Sequence, residues 1–102
     1  MKYTWEDLEK DIVRQELELA VIRKDRGKRY GTPDDTLGNV AAFGWRGAVI
    51  NAYECMSRLR NHFHQADPDP EDLRNAQKDL TNYAHYIGIL FERETCSQEK
   101  EA

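Results

Sequence analysis

Apolar residues recur three and four positions apart along most of this chain, the spacing of one face of an α-helix. Leu8, Ile12, Leu19 and Ile22 mark a first stripe, broadened by Val13, Leu17 and Ala20. Val49, Ala52, Met56, Leu59 and Phe63 mark a second, and the period holds for four turns. Leu73, Ala76, Leu80, Tyr83, Ala84, Ile87, Leu90 and Phe91 mark a third. The pattern predicts an all-α fold, an antiparallel helical bundle of three main helices plus one short helix over about 35–43. Residues 1–94 form one helical domain in this reading, and 95–102 a polar, frayed C-terminal tail.

Local signals set the predicted boundaries. Thr4 can cap the first helix, with Asp7 three residues on in the place of the usual Glu or Gln of a capping box. Gly27 is the expected stop. Residues 27–35 read as a loop because Gly31, Pro33 and the Asp34-Asp35 pair are turn formers. Gly44 ends the short helix, and Trp45-Arg46-Gly47 hinges into the next. Asp67-Pro68-Asp69-Pro70 is the clearest boundary, with Asp69 as N-cap and Pro70 at the first helical position. The last main helix is expected to end near Glu94.

Length and composition narrow the class. The 102 residues suit a single domain. The net charge of −4 argues against bulk nucleic-acid binding, which phosphate neutralisation drives. No apolar run approaches the roughly 20 residues of a bilayer span, so no membrane partner is expected. Two cysteines, one of them in a polar tail, make no disulfide framework, and the chain reads as cytoplasmic. A bundle this small often buries an apolar strip against a copy of itself, so a homo-oligomer is expected.

Candidate chemistry falls in three places. Glu54, Arg58 and Asn61 share one flank of the second stripe's helix, and Asp79, Asn82 and Tyr86 one flank of the third's. Carboxylates from two facing helices, Glu54 and Asp79, can hold Mg²⁺ and leave room for phosphate oxygens. The plainer reading makes Glu54 and Arg58 an i,i+4 ion pair. Arg23, Lys24, Arg26, Lys28 and Arg29 precede Tyr30-Gly31, and cations beside a glycine turn can receive a phosphate. They equally complement the dipole of a helix end. Trp45 with Arg46 can stack on a base, or Trp45 can plug a corner between helices. His62 and His64 lack the i,i+4 spacing of a helical zinc pair. No phosphate loop, dinucleotide fingerprint or nucleophile elbow is present, so no catalytic residue is assigned.

Three segments carry a family resemblance. Residues 23–31 followed by Asp35-Thr36-Leu37-Gly38-Asn39-Val40 resemble a "lysine, aromatic-glycine, then Asp-x-Leu-x-Asn-Phe" stretch. Met56-Ser57-Arg58-Leu59-Arg60-Asn61 resembles "Lys-x-Ser-Arg-Leu-x-Asn", and Asp79-Leu80-Thr81-Asn82-Tyr83-Ala84 resembles "Asp-Leu-x-Asn-Tyr-Ala". Together, over residues 20–92, they are similar to the nucleotide-modification-associated domains of small phage and bacterial proteins. More distantly the order resembles the MazG-like all-α nucleotide pyrophosphohydrolases, which hold Mg²⁺ with Glu-x-x-Glu and Glu-x-x-Asp. This chain departs from that pattern. Asn51 and Ser57 flank Glu54, Ala76 and Asn82 flank Asp79, and Glu16 and Glu18 diverge.

The resemblance implies phage origin, hence a host-cytoplasm location, and nucleotide handling by binding more than turnover. The expected ligand is a nucleotide or cyclic nucleotide signal, possible prey for a sequestering anti-defence protein. Arg26, Lys28, Arg29 and Arg46 are then the phosphate-seeking side chains, with Arg58 also among the ligand-binding residues. Tyr30 or Trp45 stacks, Asn39 and Asn82 read polar edges, and Asp79 and Tyr83 complete the ligand-binding set. No cofactor is expected of a binder. The alternatives are a Mg²⁺-dependent nucleotide phosphohydrolase using Glu54 and Asp79, and a protein-interaction module with no small ligand.

Overall fold

The computed structural model describes residues 2–30 and 42–101, and for 26–30 and 97–101 the backbone course alone. It is all-α, with helices α1 (Trp5–Tyr30), α2 (Gly44–Phe63) and α3 (Pro70–Glu101). The predicted short helix falls on residues outside those described, save Ala42 and Phe43, which form a turn. The chain divides into two compact units, Met1–Thr36 and Leu37–Ala102. No helix among the described residues is long and apolar enough to cross a membrane.

The first unit is built on α1, which starts from a reciprocal cap. The Thr4 N–H donates to Asp7 Oδ2 (3.0 Å) and the Asp7 N–H donates to Thr4 Oγ1 (3.1 Å). The shorter Asp side chain therefore completes the capping box that Glu usually makes. These bonds from Thr4 hold the Asp7 carboxyl below its ordinary value. Along the exposed surface, Lys10 pairs with Glu6 (3.5 Å) and Arg14 with Glu18 (3.1 Å), both one turn apart.

The helix does not stop at Gly27 as expected but continues to Tyr30. A glycine inside a helix costs roughly 1 kcal/mol relative to alanine, too little to end one by itself. The basic residues around it sit where the helix dipole favours cations.

The second unit is the hairpin of α2 and α3. Asp69 caps α3 as predicted: its Oδ1 accepts from the Glu71 N–H (2.9 Å), and its carbonyl accepts from the Leu73 N–H (3.0 Å). Pro70 occupies the first helical position, where its missing N–H has no partner to lose. The helix then runs past Glu94 to Glu101, so the expected tail is helical in its backbone. α2 begins at Gly44, ahead of the expected hinge, and Trp45, Arg46 and Gly47 lie in its first turn. At its other end the His64 N–H donates to the Arg60 and Asn61 carbonyls.

Three cross-helix contacts fix the register. Arg58 meets Asp79, Trp45 meets Phe91, and Gly44 lies against Glu94. Each step forward along α2 is a step back along α3, so the two run antiparallel.

The seam between them combines small side chains with leucines. α2 buries Ala48 and Cys55 and half-buries Ala52 and Leu59, while α3 buries Ala76 and Leu90. The predicted α2 stripe is displaced by about one residue. Val49, Met56 and Phe63 are exposed, and the buried positions are their neighbours Ala48 and Cys55. Small residues win the seam because interaxial distance depends on the side chains between the helices.

Gly44 has φ of 67°, and a Cβ there would collide with the Glu94 carboxylate. A left-handed backbone costs a residue with a Cβ about 1–2 kcal/mol. Gly44→Ala should therefore lower the melting temperature by about 4–8 °C for each kcal/mol lost. An unchanged melting curve would show that this turn bears no strain. A separate check concerns α1. A carboxyl with a lowered pKa adds stability above its unfolded value and loses it as pH falls through the folded one. The Asp7 carboxyl carbon, followed by NMR, should titrate below 3.8, and the first turn of α1 should fray only beneath that midpoint.

Candidate functional site

The α2–α3 seam carries a polar layer at its middle. Arg58 Nη1 lies 3.1 Å from Asp79 Oδ2, a hydrogen-bonded ion pair across the two helices. The Asp79 side chain is 14% exposed and the Arg58 side chain 47%. Asn82, one turn beyond Asp79, is 2% exposed. Cys55 is buried one turn before Arg58. Burial pushes the Cys55 thiol up from its ordinary value, the nearby Asp79 carboxylate adds to the effect, and Arg58 opposes it. The thiol is held protonated near neutral pH and is a poor nucleophile.

The chemistry of this layer follows from who is engaged and who is accessible. Asp79 Oδ2 accepts from Arg58 Nη1, and Arg carries five N–H donors in a rigid fork. The half-exposed fork has donors left for a phosphate or carboxylate. Replacing an ion pair in such a seam by apolar residues is often neutral or stabilising, so stability alone gives little reason for one here.

A second cluster sits at the start of α2. The Trp45 ring meets Phe91 edge-on, with centroids 5.6 Å apart. The Arg46 guanidinium carbon lies 4.4 Å from the Trp45 centroid, a cation–π stack. No side chain caps this helix at Phe43, and its first turn holds no acidic residue. The carboxylate against Gly44 comes instead from Glu94 of α3, where the helix dipole favours an anion.

The structure thus brings together Arg58, Asp79 and Asn82, with Tyr83 next to Asn82 and ring-to-edge with Tyr86 (6.0 Å). It does not bring Trp45 and Arg46 to them: the thirteen residues from Trp45 to Arg58 span about 20 Å of helix. Glu54 is exposed on α2, and the partner of Arg58 is Asp79 across the hairpin. Among the described residues no group of three or more His, Cys, Asp or Glu side chains could hold a metal ion. Arg26, Lys28, Arg29 and Tyr30 lie in the last turns of α1, and Gly31 lies outside the described residues. Asn39 lies outside the described residues.

Three contacts had no place in the sequence reading: Cys55 in the seam, Phe91 against Trp45, and Glu94 over Gly44. One signal was available for the first. Ala48 and Cys55 are seven apart, a heptad of small side chains of the kind that lets two helices approach. No protein-family model matches the chain, and no curated protein or solved structure matches it.

The cross-helix pair has a measurable coupling. In a double-mutant cycle of Arg58→Ala and Asp79→Ala, half-exposure of Arg58 screens the interaction, and a coupling of about 1 kcal/mol is expected. Urea unfolding of the four proteins reads it, and strictly additive effects would mean that the pair does not act as one.

Proposed function

We propose that this chain binds a nucleotide or nucleotide-derived signalling molecule through the polar layer of the α2–α3 hairpin. Arg58 takes a phosphate with the donors that Asp79 leaves open. Asp79 and Asn82 read hydroxyl or base edges, and Tyr83 borders them. Arg26, Lys28 and Arg29, on α1, are further candidates for phosphate. A binder of this kind can sequester its ligand without turning it over.

One observation carries the reading: an ion pair and a buried amide stand in the middle of a helix–helix seam that small apolar residues otherwise fill. Such groups add little to stability there, and their retention fits recognition. The resemblance of the Arg58 and Asp79 segments to nucleotide-modification-associated domains points the same way. The Mg²⁺-dependent hydrolase has weaker support, because Glu54 and Asp79 bring no third carboxylate with them among the described residues.

The test is a thermal-shift screen against mono-, tri- and cyclic nucleotides, with and without Mg²⁺. A ligand at 100-fold over its dissociation constant adds about 2.7 kcal/mol, a shift of several degrees for a chain this size. Arg58→Ala and Asp79→Ala should each weaken that ligand at least about tenfold. A shift that needs Mg²⁺ and is followed by ligand loss would replace binding by hydrolysis. Affinity unaltered in both variants, or no shift with any ligand, would sink the assignment.

A further inference from the structure

The outer face of α2 is apolar and exposed. Ile50, Tyr53, Met56 and Phe63 are all exposed there, Tyr53 at 73% and Phe63 at 81%. Tyr53, Met56 and Phe63, with Ser57, Leu59 and Arg60, border a shallow groove of about 410 Å³. A whole aromatic side chain offers about 150–250 Å², so Tyr53 and Phe63 at these exposures, with smaller shares from Ile50 and Met56, present on the order of 400 Å². That is within the range of the largest apolar patch on an ordinary monomer, about 300–600 Å², and such patches are often functional.

We propose that this face is a two-fold interface, and that its occupant is α2 of a second copy of the chain. The order of residues is self-complementary. An antiparallel partner whose axis passes between Met56 and Ser57 sets Ile50 opposite the partner's Phe63. The same axis sets Tyr53 opposite the partner's Arg60 and Met56 opposite the partner's Ser57. One rotation satisfies all three pairs, as an isologous contact requires.

The single charged residue of the stripe then has an aromatic face to stack on, a cation–π contact. The two arginines do not oppose each other. Their positions differ by the seven residues from Tyr53 to Arg60, about 10 Å along the axis. Against the roughly 800 Å² per partner of a standard interface, the apolar four with Ser57 and Arg60 make a small one, of the weak class. This inference is independent of the nucleotide reading.

The test starts with the mass of the full chain in solution. Light scattering at about 100 µM protein is well above the micromolar dissociation constants at the weak end for interfaces of this size. The expected mass is twice 11.9 kDa. Met56→Glu places two carboxylates together at the axis and should weaken association at least about 100-fold, with helix content by circular dichroism unchanged.

Should that variant fail to fold, a second measurement decides. In a Cys96→Ser background, Ser57→Cys should be joined between copies by a short bismaleimide reagent, Cys55 being buried. The same substitution at Glu71, in the first turn of α3, should stay uncrosslinked. A monomeric wild type, an assembly that Met56→Glu leaves intact, or equal crosslinking at both positions would overturn the proposal.

Discussion

The close approach of α2 and α3 across small side chains is the constraint on which the rest of the second unit depends. Ala48, Cys55 and Ala76 occupy positions where larger residues would hold the helix axes apart. A thin seam leaves the hairpin poor in core, and among the described residues no large side chain is fully buried. Most helical stability in proteins comes from burying an apolar face and little from propensity, so the hairpin needs contacts beyond the seam. Longer side chains supply some of them: Trp45 against Phe91, and Arg58 reaching Asp79.

The same constraint accounts for what could be read in the sequence and what could not. Helix starts with a local chemical cause were legible. Thr4 and Asp7 cap α1, and Asp69 with Pro70 opens α3, because each cap is made within a few residues. The seam was misplaced by about one residue because periodicity gives weight to bulk. Val49, Met56 and Phe63 look like a core, while Ala48 and Cys55 look like filler. Gly27 failed as a stop because a glycine ends a helix only where the next turn has a better conformation to adopt.

The site divides along the same line. Arg58, Asp79 and Asn82 stood out as polar groups beside apolar stripes, and the fold places them in one layer. Their pairing was not legible. A sequence displays only neighbours one turn away, so Arg58 looks like a partner of Glu54. The hairpin register, set by the six residues between Phe63 and Pro70, puts Asp79 there instead. Cys55 lacks any signature by itself. It becomes part of the layer only once α3 covers it.

The polar layer and the apolar outer face lie on different sides of α2. Successive residues turn by about 100°, so Arg58 and Arg60 point about 200° apart around the helix. Arg58 borders the seam with α3, and Arg60 lies on the uncovered face with Tyr53 and Met56. A partner on the uncovered face therefore leaves the guanidinium of Arg58 open to a ligand. It also holds α2 more rigidly, and with it the donor that a phosphate would meet. A helix thinly supported on one side by small residues gains most from support on the other. Pairing through the outer face would thus stabilise the polar layer without contacting it.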